Sequence, residues 1–141
     1  MTFLQALYGS QYQEIAGRGG DTNKARINGN YFLTAFAILG ILISASVVFY
    51  LFKAMGIDLS ARLSQITGSA SGKGLGRLMA IPLFLLIYLV IGQTIGSKAR
   101  YEQTVAEFMQ LPKEERETAN KRVLKPFFIL MILFVALIFL G

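Results

Sequence analysis

The sequence predicts an all-α membrane protein, with three transmembrane helices, flanking amphipathic helices and a cytoplasmic helical hairpin. Three observations carry that expectation. Runs from Tyr31 to Phe52, Leu78 to Ile95 and Pro126 to Leu140 contain no Asp, Glu, Lys, Arg or His. They are about 22, 18 and 15 residues long, against roughly 20 needed to cross ~30 Å of hydrocarbon at ~1.5 Å per residue. The segments between them are polar, too short to build a soluble domain of their own, and concentrate their basic residues beside the runs.

The expected organisation follows the runs. Residues 1–30 form an N-terminal amphipathic and polar segment, and residues 31–53 the first transmembrane helix. An extracytoplasmic loop at 54–77 is amphipathic and then rich in Gly and Ser. The second transmembrane helix takes 78–96, a charged cytoplasmic hairpin takes 97–125, and the third transmembrane helix takes 126–141.

At the N-terminus, Leu4, Leu7, Tyr8, Tyr12 and Ile15 recur at helical spacing opposite Gln5, Ser10, Gln13 and Glu14. This suits a helix lying in the membrane interface or packed on a neighbouring protein. Gly17, Gly19 and Gly20 then break it. No basic residue precedes its apolar positions, so the start does not read as a secretory signal, and the first run reads as an uncleaved anchor. Within that run Thr34, Ala37, Gly40 and Ser44 line one face, where small side chains let another backbone come close in lipid.

The following loop begins with Met55, Leu59, Leu63 and Ile66 on one face, a short amphipathic helix on the outer surface. It ends in a Gly/Ser-rich linker from Thr67 to Gly74 that fails as a phosphate loop. Only three residues separate Gly68 from Gly72-Lys73, and Gly74 stands where magnesium needs a hydroxyl. The second run has Pro82 near its start and the Gly92–Gly96 spacing of a helix-packing contact at its end. Beyond it, Tyr101, Val105, Phe108 and Met109 extend a helical stripe into the hairpin, the expected docking face for a partner. Pro112 then starts a fresh helix with acids in its first turn. Lys121, Arg122 and Lys125 should meet lipid headgroups, and Pro126 should open the last span, which rises only ~24 Å.

Orientation follows from the basic residues. Ten of the 14 lie in the N-terminal segment and the second loop, against four in the first loop. Basic residues resist translocation, so the N-terminus is expected in the cytoplasm and the C-terminus outside, with a bacterial inner membrane as the expected location.

The same composition narrows function. There is no Cys for a disulfide, thiolate nucleophile or thiolate metal site, no His, and no ionisable residue within a run. No cofactor or metal is expected, and no catalytic residue. The +6 charge is scattered beside the spans, which fits anionic phospholipid and not nucleic acid. The expected role is a non-catalytic integral membrane subunit that stabilises a larger complex of the respiratory, secretion or motor type, partnered by other membrane subunits. The alternative is a small homo-oligomeric channel or transporter, lined by Thr34, Ser44, Ser46, Tyr88, Gln93 and Thr94.

Overall fold

The computed structural model describes residues 1–67 and 72–140, without the side chains of Ser64, Ile66, Thr67 and residues 72–77. All elements among these residues are helices: α1 Phe3–Gly17, α2 Asn23–Ala54, α3 Leu59–Thr67, α4 Gly72–Gln93, α5 Lys98–Met109, α6 Lys113–Glu117 and α7 Ala119–Leu140. Two helical stretches, Asn23–Ala54 and Lys113–Leu140, are long and apolar enough to cross a membrane. A third exists if α4 and α5, bent by 64° across their break, count as one broken span.

Several boundaries differ from the sequence expectation. The polar residues before Tyr31 belong to α2 itself, because nothing in Asn23-Lys24-Ala25-Arg26 interrupts the backbone bonding once Asp21 and Thr22 have turned the chain. The helix after the second run does not continue straight. The Gly96 N–H reaches back to the Ile91 carbonyl at 2.7 Å, which closes α4, and Ser97 in an extended conformation opens α5 in a new direction. Pro126 lies inside α7 instead of opening it, since the helix starts at Ala119 and already carries Lys121, Arg122 and Lys125 in its first turns.

α2 is the central element. α4 packs along one of its sides and α7 along another, while α4 and α7 hardly meet. Ring contacts seal each pair near the start of α2: Tyr31 stacks on Tyr88 at 5.0 Å towards α4, and Phe32 meets Phe127 tilted at 5.0 Å towards α7. Farther along, the Tyr50 hydroxyl donates to the Leu137 carbonyl at 2.6 Å.

α1 crosses the end of this bundle and touches α2, α5 and α7. Its start is fixed by a reciprocal cap: the Thr2 hydroxyl accepts from the Gln5 N–H, and the Gln5 side chain accepts from the Thr2 N–H. Ala6, Leu7 and Tyr8 are almost wholly excluded from solvent. Two apolar clusters lie beneath them. One joins Ala6 and Leu7 to Phe108, Ala119 and Val123; the other joins Tyr8 to Ala25, Tyr101 and Val105. So the middle of α1, residues 6–10, is buried against its own chain, a setting that its apolar stripe alone did not single out.

The opposite end is loosely built. α2 stops at Gly56, whose φ of +78° allows the Ile57 N–H to return to the Phe52 carbonyl at 2.9 Å. Asp58 then caps α3 by accepting from the Ser60 and Ala61 N–H groups. Met55, expected on the face of α3, belongs to the end of α2 and stands exposed. Only 17% of the apolar window of α2, and 6% of that of Lys113–Leu140, is buried, so most of their apolar surface faces outward.

Candidate functional site

The densest arrangement of polar side chains sits where α1 meets α2 and the α4–α5 break. The Tyr8 hydroxyl donates to Asn30 Oδ1 at 2.6 Å, and Asn30 Nδ2 donates to the Gly96 carbonyl at 3.3 Å. Arg26 Nη1 also points at that carbonyl, at 3.4 Å, and its Nε is buried without a partner. The Thr34 hydroxyl donates to the Asn30 carbonyl at 2.8 Å, and the Tyr101 hydroxyl donates to the Thr22 carbonyl at 3.1 Å. Gly96 carries a carbonyl left over at the end of α4. Asn30 and Arg26 satisfy it, which is why a broken helix is tolerable here.

Glycine makes the junction possible. A Cβ on Gly29 would run into the Tyr8 ring, one on Gly9 into the Phe108 ring, and one on Gly96 into the Asn30 amide. Each is a helix or break residue lying directly under another element's bulky side chain. Tyr8 and Tyr101 meet edge to face at 5.5 Å. Burial pushes the Tyr8 hydroxyl up to about 12; the nearby Arg26 pulls it down and Tyr101 pushes it up further. Tyr8 is therefore a neutral donor at any physiological pH, which is the form its bond to Asn30 requires.

The residues singled out in the sequence divide between this junction and open surface. Thr34 and Gly96 are buried in it, and Gly92 lies 3.9 Å from the Asn30 amide nitrogen by its would-be Cβ. Gly40 has nothing within 4 Å of a would-be Cβ, Ala37 is half-buried and Ser44 is exposed. The expected partner-docking stripe needs correction: Tyr101, Val105 and Phe108 are buried, packed against α1, and only Met109 remains exposed. α1 fills the place assigned to a foreign partner. Lys121, Arg122 and Lys125 are exposed, although Arg122 Nη1 donates to the Met1 carbonyl at 2.9 Å. The hydroxyls of Ser44, Ser46 and Thr94 donate to carbonyls four residues earlier, at 2.8, 2.8 and 2.6 Å. Gly68 to Ser71 of the Gly/Ser-rich linker lie outside the described residues.

Sequence reasoning passed over Gly9, Gly29, Arg26 and Asn30. The polar Asn30 directly before an apolar run was a visible signal; its pairing with Tyr8 was not, because nothing local links residues 22 apart.

A second feature lies along α2. An apolar furrow of about 310 Å³ has Ala35, Ile38, Leu39 and Leu42 as its floor, Phe84 of α4 as one wall, and Phe127 and Met131 of α7 as the other. It runs into a hollow of about 490 Å³ that shares Ile38, Leu42 and Phe84 and is bounded by Met79 to Leu85. The furrow exists because α4 and α7 pack on α2 and hardly on each other.

Among the described residues these features define an all-helical fold with two or three helices long and apolar enough to span a membrane, consistent with an integral membrane protein. Comparison with protein-family models, curated proteins and solved structures finds no match to this chain.

Proposed function

We propose that this chain is a non-catalytic integral membrane subunit, which packs into a larger membrane complex of the respiratory, secretion or motor type and stabilises it. In this reading three helices span a bacterial inner membrane with the N-terminus in the cytoplasm. The α1 end then faces the cytoplasm with ten basic residues, against four at the α3 end. Other membrane subunits and anionic phospholipids are its partners.

One observation carries the reading. Gly40 has nothing within 4 Å of a would-be Cβ and Ser44 is exposed, its hydroxyl turned back to the Gly40 carbonyl, although small residues at membrane depth serve close helix–helix approach. A polar junction bonded within the chain at one end and uncovered helices at the other suit a component held at its base and completed by others.

Extraction in mild detergent, followed by measurement of mass and composition, tests this. Co-migration with unlike proteins at fixed stoichiometry is expected, and Gly40→Leu should reduce it by closing off backbone approach. A pure homo-oligomer would overturn the subunit reading and make reconstituted flux the next measurement.

A further inference from the structure

The furrow on α2 is apolar throughout, and basic residues lie beyond its α1 end. Its lining, Ala35, Ile38, Leu39, Leu42, Phe84, Phe127 and Met131, carries no charge and no side-chain hydrogen-bonding group. Lys24 precedes Ala35 by eleven residues, about three helical turns, and so stands on the furrow face of α2 at the α1 end. On α7, Asn120, Leu124, Phe127 and Met131 follow one stripe at spacings of four, three and four, and Lys121 stands beside its start. Lys24 and Lys121 are exposed and form no ion pair among the described residues.

The surrounding charge reinforces this. α2 and α7 both begin at this end, and neither has an acid in its first turn. The positive terminus of α2 therefore adds to the two ammonium groups, whereas α7 continues from α6 as one stretch, Lys113–Leu140, with Glu117 four residues before Lys121. Asp21, the acid nearest the start of α2, is engaged by the Asn23 N–H at 3.0 Å. Depth agrees as well. From Lys24 to Leu39 the helix rises about 22 Å, which is the depth of one leaflet with its headgroups, half of ~40–45 Å.

We propose that this furrow holds an anionic phospholipid of the leaflet at the α1 end. Its phosphate lies between Lys24 and Lys121, and one acyl chain lies over Ala35, Leu39 and Leu42 between Phe84 and Phe127. The site rests on the membrane-subunit reading only in taking the chain as embedded in a bilayer, and it belongs to the chain alone.

The chain has no Trp, so one can be introduced as a reporter. The purified full chain carrying Phe84→Trp, in the furrow wall, is placed in phosphatidylcholine vesicles containing brominated phosphatidylglycerol or brominated phosphatidylcholine. Ile132→Trp on the outward face of α7 reports bulk lipid, and Phe127→Trp on the other wall repeats the measurement if Phe84→Trp does not fold. Quenching should show phosphatidylglycerol enriched about five-fold or more at the furrow over the Ile132→Trp position, given roughly five-fold per basic residue at the surface. Lys24→Gln with Lys121→Gln should bring it down to the bulk value, and Lys24→Arg should retain it.

Equal enrichment at both reporters overturns the site. So does enrichment that survives loss of both lysines, and so does a furrow reporter that no brominated lipid quenches because a second copy covers it. The measurement uses no partner protein, so its failure leaves the co-migration result standing, and a chain that migrates alone leaves this site standing.

Discussion

Gly29 and Gly40 lie eleven residues apart on α2, about three turns and therefore on one face, yet they meet opposite surroundings. A Cβ on Gly29 would enter the Tyr8 ring; one on Gly40 would have nothing within 4 Å. The same small residue serves a completed contact at one level and an unfilled one at the next. The difference is made by α1, which covers the first few turns of α2 and then ends. Below that limit α1 closes the surface of α2, and above it the same face of α2 is left open at Gly40.

The strongest way to break this contrast is to fill both positions. Gly29→Leu should displace Tyr8 and with it α1, destabilising the purified chain by about 3 kcal/mol or more, as overpacking of a closed contact does. Gly40→Leu should leave the same melting transition within about 0.5 kcal/mol, since an open surface position has nothing to displace. Thermal unfolding of the two variants in one detergent makes the comparison; equal losses would mean that Gly40 is packed after all.

Next in size, Asn30→Leu strands the Tyr8 hydroxyl and removes one of the two side-chain donors to the Gly96 carbonyl, leaving Arg26. A buried group left without its partner costs about 1–3 kcal/mol. Tyr8→Phe, which leaves Asn30 Oδ1 unpaired but keeps the ring over Gly29, should lose less than Asn30→Leu in the same melt.

Tyr8 also gives the junction an alkaline limit. Burial raises its hydroxyl from 10.0 to about 12, so folding favours the protonated form. The stabilisation is fully present below pH 10 and is lost as pH rises through about 12. Melting temperature followed from pH 9 to 12 should fall more steeply in the native chain than in Tyr8→Phe; parallel curves would remove Tyr8 as the cause.

The smallest effect belongs to the other end. The Ser60 hydroxyl, the Ala61 and Ser60 N–H groups and the Lys53 charge hold the Asp58 carboxyl below its ordinary value. Its contribution is present at neutral pH and fades as pH falls through the acidic range. Asp58→Ala should fray α3 alone, seen as faster amide exchange over residues 59–63 with the main melting transition unchanged.

How much of this was legible in the sequence depended on whether a feature is local. The long apolar helices declared themselves through uninterrupted runs. The setting of α1 was hidden, because Leu7 and Tyr8 form an apolar stripe that suits lipid, a neighbour or the chain's own core equally well. What decides among these is Phe108 and Val123 for Leu7, and Tyr101 and Val105 for Tyr8, all more than ninety residues away. The hairpin stripe at Tyr101, Val105 and Phe108 misled for the same reason, since its complement lay at the other end of the chain. Of the candidate packing residues, Thr34 and Gly96 proved internal while Gly40 and Ser44 did not, and spacing alone could not separate them.

The bond network around α1 also sets an order of events during synthesis. α1 is made first, but the surfaces that receive it come from α5 and from Ala119 and Val123 of α7, which emerge last. Until then Leu7 and Tyr8 have only the start of α2 to rest on. Seating α1 is thus completed only after α5 and α7 have taken their places. A chain stalled or misinserted at α7 keeps its first helix loose and greasy, a ready-made mark by which a protease or chaperone can tell an unfinished molecule from a finished one.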